Sequence, residues 1–440
     1  MKNQISLLWP SVWILGFLLT SLSVFADDRL TLGQAIQEGL ELSPTVQKFQ
    51  SVRDQSKWNT YVGLSGLLPK IELHAKHDFS NRYETVPVTL GSLSAAVPKV
   101  YPKTAFGIEA QWVLFNGFAN VHQYQASLNT YEASEQQLSR TQFEAKKRIQ
   151  LAFYNALAAQ RFEEVAEENV RTLQENMRQV NLRMQNGRST QYDVLRVEVQ
   201  LSDAKTELER TQDNVIILRR LLAQAMGKKS DPRFLNGELP VPKQAGIVQN
   251  LSTPDVHERQ DYRAGALRSE AADHEAKAAS GALLPVIGLS TAYDRYENTD
   301  YPGQAYGGFR DAWNIGVFAK WNILDGGATI ARSGAAQASA RRAEYEYQEA
   351  VLNVPADYEL WKRRYLYSAH RYDAKSEDLK RSQESLRIAE LSFQQGRRTI
   401  TDVLEAETDL FRARAGVVQS QLDAEEALVK LELTFGKDLI

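Results

Sequence analysis

The chain has 440 residues, 43% hydrophobic and 24% charged, with 52 basic and 55 acidic side chains, a formal charge of −3 and no cysteine. Zero Cys excludes a disulfide scaffold, a thiol nucleophile and cysteine-ligated zinc or iron–sulfur centres, and the near-neutral balance excludes a nucleic-acid binder held by bulk charge. Mean hydropathy is −0.42, and beyond the N-terminus no apolar run is long enough for a membrane-spanning helix.

Residues 1–26 read as a secretory signal peptide. Lys2 leads an apolar stretch that closes on Val24-Phe25-Ala26, which suits a cut after Ala26. The alternative, an uncleaved anchor, is disfavoured by Pro10 and by that cleavage-like end. The mature chain is expected to work outside the cytoplasm.

A first structural repeat is expected over 27–227, opening with a helix. Its pattern then switches to period two: Ile71, Leu73, Ala75 and Phe79 alternate with polar residues, His77 being the exception, and Phe106, Ile108, Ala110, Trp112 and Leu114 interleave with Glu109 and Gln111. These runs predict strands at about 70–80 and 104–116. From 118 to 186 the period becomes heptad-like through Leu138, Ala145, Ile149, Ala152, Ala156, Ala159, Ala166, Val170, Leu173, Met177, Val180 and Met184. After Gly187 a return helix over 190–227 keeps the seam with Val194, Val197, Leu201, Ala204, Leu208, Thr211, Val215, Leu218, Leu222 and Ala225. Such a seam specifies left-handed coiled-coil packing. The roughly 70 residues from Gly117 to Gly187 make a rod of roughly 100 Å, and the returning arm roughly 60 Å.

Residues 228–257 carry Pro232, Gly237, Pro240, Pro242, Gly246 and Pro254, a linker expected to wrap outside the helices as an equatorial region. The rest, 258–440, repeats the first part: a helix, strands at about 286–296 and 310–323, a long helix over 327–395 and a return helix over 399–436. At one offset of 209, Trp112-Val113-Leu114-Phe115-Asn116-Gly117 reappears as Trp321-Asn322-Ile323-Leu324-Asp325-Gly326, Gln185-Asn186-Gly187-Arg188 as Gln394-Gln395-Gly396-Arg397, and Met226-Gly227-Lys228 as Phe435-Gly436-Lys437. Leu67-Leu68-Pro69 matches Leu283-Leu284-Pro285 at an offset of 216, so a connection in the first half is longer. Pro355 is expected to kink or break the second long helix.

Each strand is about the length of a tilted membrane-crossing strand, apolar to one side and polar to the other. Trp112, Trp313, Trp321, Tyr293 and Tyr296 would supply an interfacial aromatic girdle. A soluble hairpin with one buried face is the ordinary reading, but these strands are attached to rods of roughly 100 Å with no core-sized domain to lie on. Four strands cannot close a conducting barrel and small membrane barrels need about eight, whereas three copies supply twelve. A homo-oligomer follows. The segments Tyr83–Pro102 and Glu297–Gly308 become loops facing the exterior.

With these residues in hand, the mature chain resembles the TolC-like outer-membrane efflux and secretion channels over nearly its whole length. The resemblance rests on Leu30-Thr31-Leu32 with Gln34-Ala35, Ser43-Pro44, the two Leu-Leu-Pro strand starts, the strand exits Phe115-Asn116-Gly117 and Leu324-Asp325-Gly326, and the tip Thr399-Ile400-Thr401-Asp402-Val403. It implies a fold that is mainly α with a membrane β-barrel portion: a homotrimer whose twelve-stranded barrel in outer-membrane lipid continues into a twelve-helix tunnel through the periplasm. It also implies a periplasmic adaptor docking at the hairpin tips (Gly187, Arg188, Thr190, Gly396, Arg397, Thr399) and an inner-membrane pump, proton-driven or of ABC type. Without an N-terminal Cys the lipoprotein branch does not fit.

At the tips, Gly187 and Gly396 suit a helix C′ position, and Thr190-Gln191-Tyr192-Asp193 and Thr399-Ile400-Thr401-Asp402 have the form of capping boxes. Asp193 therefore reads first as a cap. The resemblance gives acids at Asp402 and Glu405 a second role, lining a constricted periplasmic mouth that favours cations. Glu405 has Arg196 as its first-half counterpart, and its ordinary reading is a solvated helix face. Arg398 is a candidate partner for an acid on a neighbouring helix, and the sequence departs from the family it resembles at Gln394 and Gln395, where that resemblance implies an aromatic latch.

No cofactor, metal site or enzyme activity is expected. Gly227-Lys228-Lys229-Ser230 only partly resembles a phosphate loop, since it ends a helix rather than opening one, and the six His residues are scattered. A rival reading, a periplasmic adaptor or structural coiled-coil protein, predicts one hairpin inserted into small β domains, whereas here hairpin and strand pair occur twice. A water-filled tunnel selects by width and charge, so drug, metal and protein export all remain compatible with this chain.

Overall fold

The computed structural model describes residues 29–79, 85–98, 103–243, 245–297 and 308–439. The expected signal peptide and the centre of the second loop lie outside the described residues. Strand β1 (Arg29–Thr31) leads into α1 (Leu32–Leu42), where Thr31 and Gln34 form a capping box. Ser43 caps α2 (Pro44–Ser65), and Pro44, lacking an N–H, ends α1 and begins α2 at a position that loses no hydrogen bond. Then come β2 (Lys70–His77), a small hairpin of β3 (Thr85–Leu90) and β4 (Leu93–Pro98), and β5 (Thr104–Phe115). The segment expected as a loop thus carries a hairpin of its own, closed by a two-residue turn with Gly91 at φ 63°.

Helix α3 (Ala119–Gln185) is 67 residues long, roughly 100 Å, and α4 (Gln191–Ala225) returns along it. The middle of the chain gives β6 (Phe234–Asn236), paired parallel with β1, a short α5 (Ala245–Gln249) and a 3-10 turn at Val256–Glu258. The second half follows as α6 (Gln260–Gly281), β7 (Val286–Glu297), β8 (Phe309–Lys320), α7 (Ala328–Gln394) and α8 (Ile400–Phe435). Pro355 sits inside α7 without breaking it. Among the described residues no helix is long and apolar enough to cross a membrane.

A 67-residue helix needs a partner along its whole length, and neither return arm is long enough. The fold supplies the rest by stacking short helices end to end. Helix α3 packs on α4 below and α2 above, and α7 packs on α8 and then α6. At the first junction a Cβ on Gly227 would lie 2.6 Å from Leu42 O. At the second, the guanidiniums of Arg259 and Arg140 donate to Thr434 O (2.8 Å) and Leu433 O (2.9 Å), closing the last carbonyls of α8. The equatorial segment is clamped to α1 by Arg233, which donates to Glu38 (2.9 and 2.7 Å) and Asp231 (2.9 and 2.6 Å), with Lys228 donating to both. Arg233 first, then Lys228, holds the Glu38 carboxyl at about 2.

Candidate functional site

The sheet has the order β2-β5-β7-β8, antiparallel throughout. Because facing residues in a ladder share a side, the register sorts every side chain. One face carries the exposed apolar side chains Ile71, Leu73, Phe106, Ile108, Trp112, Leu289, Tyr293, Trp313, Ile315 and Val317, with the Arg295–Asp311 ion pair (3.3 Å) toward the loop end of the strands. The other carries Lys70, Glu72, His74, Lys76, Glu109, Gln111, Asp294, Arg310, Asn314 and Lys320. On this polar side His74 Nε2 lies 2.8 Å from Asp294 Oδ1 across Gly107, where any Cβ would strike that carboxylate.

The register corrects one member of the expected girdle. Tyr296 faces Ala105 and Arg310, so it lies on the polar row, while Tyr293 and Trp313 face each other on the apolar one. Trp112 and Trp321 act as twins: their indole N–H groups donate to Leu67 O (2.9 Å) and Leu283 O (3.1 Å), the first residues of the two Leu-Leu-Pro segments. Trp321 lies beyond β8, which ends at Lys320 rather than 323. A strand is defined by its ladder, and β7 begins at Val286 opposite Lys320, leaving Trp321–Ile323 without a ladder partner among the described residues.

At the opposite end of the rods the two tips share one design. Gly187 and Gly396 take φ 69° and 70°, and an added Cβ would meet nothing, so the backbone angle alone selects glycine. Asp193 Oδ2 accepts from the Thr190 N–H (2.8 Å) and hydroxyl (2.9 Å), and Asp402 Oδ2 from those of Thr399 (2.8 Å each). The Thr399 hydroxyl, then its amide, then the charge of Arg398 hold the Asp402 carboxyl below the usual carboxylate range. Arg398 thus acts on an acid of its own tip within the chain. Glu405 instead lies 3.9 Å from Arg196 of α4, its own counterpart in the repeat. Arg188, Thr190, Arg397 and Thr399 are largely open to the outside beside the two glycines.

Sequence reasoning missed the aromatic contact that ties the hairpins here. Phe393, one residue before Gln394 and Gln395, is buried under the Arg183 guanidinium, which sits 4.0 Å from the ring centroid and donates to Phe393 O at 3.2 Å. The signal was present in the repeat: Met184 and Ser392 occupy the twin positions, so neither partner of this pair is duplicated. Among the described residues no cluster of His, Asp and Glu could hold a metal ion.

The comparisons agree with this geometry. A family model described as Outer membrane efflux protein matches residues 35–228 and 256–437, skipping the equatorial linker. The chain is 24% identical to the outer membrane efflux protein BepC of Brucella suis over 331 residues, 72% of this chain and 68% of that protein. It is 22% identical to Nodulation protein T of Rhizobium leguminosarum over 427 residues, 94% and 86% of the two chains. The outer membrane protein VceC of Vibrio cholerae superposes with a TM-score of 0.75 at 17% identity, covering 93% of this chain and 97% of that one. A duplicated strand pair with one apolar face, carried on a long helical hairpin and matched across both halves, makes this chain a member of the outer membrane efflux protein family, held in the outer membrane with its helical tunnel in the periplasm.

Proposed function

We propose that three copies of the chain close a twelve-stranded barrel continuous with a twelve-helix tunnel. This assembly is the exit duct of a tripartite efflux or type I secretion system, fed by an inner-membrane pump through a periplasmic adaptor at the hairpin tips. The observation that carries the reading is the unfinished repeat. Inside the chain β5 is paired on both sides, Ile71 and Thr291 flanking Ala110. Its twin β8 repeats one of those pairings at the same register, Ile287 opposite Ala319, and among the described residues has no strand on its second edge. Gly117, wedged against Gly281, likewise has a twin in Gly326, around which a Cβ would find open space. Each open edge fits the other by the rule the chain already uses, so copies join head to tail and the ring closes.

The offsets turn this into a residue pairing: Ala319 of one copy opposite Ala75 of the next. Facing residues have Cβ atoms about 5 Å apart and the natural chain has no Cys, so Ala75→Cys with Ala319→Cys should give an oxidation-dependent covalent ladder ending at three copies. The same pair placed at Lys76 and Ala319, one residue out of register, should not. Monomeric bands only under oxidation would overturn the closure. At the mouth, three Asp402 and three Glu405 carboxylates would form an acidic double ring, with Asp193 and Arg398 beside it. Replacing Asp402 and Glu405 by Ala should lower cation selectivity and divalent block in planar bilayers.

A further inference from the structure

Below the middle of the rods the two hairpins are sealed by an apolar cluster in which Val170, Leu173 and Val180 of α3 meet Val403, Leu404 and Ala406 of α8. The next residue of α8 interrupts it. Glu407 is 5% exposed; its Oε1 accepts from the Asn176 amide of α3 at 2.6 Å, and its Oε2 is buried with no hydrogen-bond partner. Two cavities flank it, one of about 270 Å³ toward α4 and one of about 130 Å³ toward α7, sharing Phe411 as a wall.

The charges around this carboxyl are of the wrong kind to pair it. Asp203 and Glu207 of α4 line the first cavity, and Glu207 is engaged by Arg210. Glu390 of α7 and Glu168 of α3 line the second, where the one cation among the described lining residues is Arg414, itself 2.6 Å from Glu168. Among the described residues no Lys or Arg pairs with Glu407. An ionised carboxylate with a single amide bond is costly to bury, whereas its neutral form is tolerated.

We propose that Glu407 is a proton-controlled joint between the two hairpins: neutral, it lets α8 close against α3, and ionised, it draws water into the flanking cavities and loosens that seam. Burial pushes the carboxyl up to about 7, the Glu390 charge adding to the rise and the Asn176 bond opposing it. A raised pKa in the packed state means that the packing is favoured fully below the ordinary value of 4.5 and loses that advantage as pH rises through about 7. Mild acidity therefore tightens the wall. The functional meaning of the joint, a tunnel wall that responds to periplasmic pH, rests on the channel reading; the joint itself does not.

The test is amide hydrogen exchange on the full chain purified in detergent, with rates corrected for the intrinsic effect of pH. For residues 404–412 of the natural protein, protection should fall about tenfold between pH 6 and pH 8, the most that one group moving from an ordinary 4.5 to about 7 supplies over that range. Glu407→Gln, which cannot ionise, should keep its pH 6 protection at pH 8. Asn176→Asp, which sets a second acid against the first, should move the midpoint upward. A natural protein with no step, a step that survives in Glu407→Gln, or a midpoint unmoved in Asn176→Asp overturns the joint. Ion conductance of the same preparation is read separately: an exchange step without conductance overturns the channel and leaves the joint standing.

Discussion

The return helices α4 and α8 are the same element twice. They share the 209 offset, the capping box and nearly the same length, 35 and 36 residues, yet seven residues of α4 are buried against seventeen of α8. Both bury the heptad seam toward their own long helix, Val197, Ala204, Thr211 and Val215 in one, Ala406, Ala413, Ser420 and Ala424 in the other. What α8 adds is a second stripe, including Leu404, Glu407, Val418, Glu425, Val429 and Glu432, which turns toward α3. Helix α4 has the matching stripe but, among the described residues, no long helix beyond it. The difference lies in position along the repeat rather than in the helices: the inner copy has a neighbour on each side, and the outer copy has one.

The largest effect should come from the charge buried in that second stripe. Lys147 of α3 is 2% exposed and donates to Glu432 (2.5 Å) and pairs with Asp438 (2.7 Å). Lys147→Met strands a buried carboxylate and should cost about 3–5 kcal/mol in chemical unfolding. Breaking the exposed Glu207–Arg210 pair of α4 with Arg210→Met should cost at most about 1 kcal/mol. Equal costs would show that the burial contrast has no energetic weight.

Next come the twin leucines Leu404 and Leu195, 0% and 50% exposed in the single chain. Leu404→Ala should lower stability by about 2–5 kcal/mol. Leu195→Ala should cost much less in dissociated chains and approach the Leu404 value in the closed ring, so thermal unfolding on both sides of dissociation sharpens the comparison. A Leu195 cost unchanged by assembly would mean that no neighbouring helix covers α4. The smallest contrast is expected at the tips, where the capping geometry is shared. Thr190→Ala and Thr399→Ala should each cost about 1 kcal/mol in unfolding, and a clear inequality would break the equivalence of the two halves.

Much of the scaffold was legible because it is written in period and punctuation. The glycines at 117, 187, 326 and 396 marked where rods start and reverse, since positive φ is a local property. The alternating runs marked the strands, and the two-faced register of Trp313 and Asn314 followed from a period of two. Less was legible at the sites. Glu407 sits beside the seam residue Ala406 with nothing in the heptad period to mark it as buried, and Arg183 over Phe393 joins residues that no spacing connects. Tyr296 lies on its expected strand but on the other face, and Trp321 falls just past the end of β8, because strand end and face depend on which residue stands opposite.

By itself, the sequence determined a duplicated chain of coiled-coil arms and two-faced strands, because heptads, alternation and turn residues act over a few positions at a time. Only the tertiary structure decided that short helices stack end to end to partner a 67-residue rod, that α8 is enclosed while α4 is open, and that a glutamate is sealed between two hairpins. Those outcomes depend on which surfaces meet, and burial of a charge or loss of a ladder partner is a property of the meeting, absent from either segment alone.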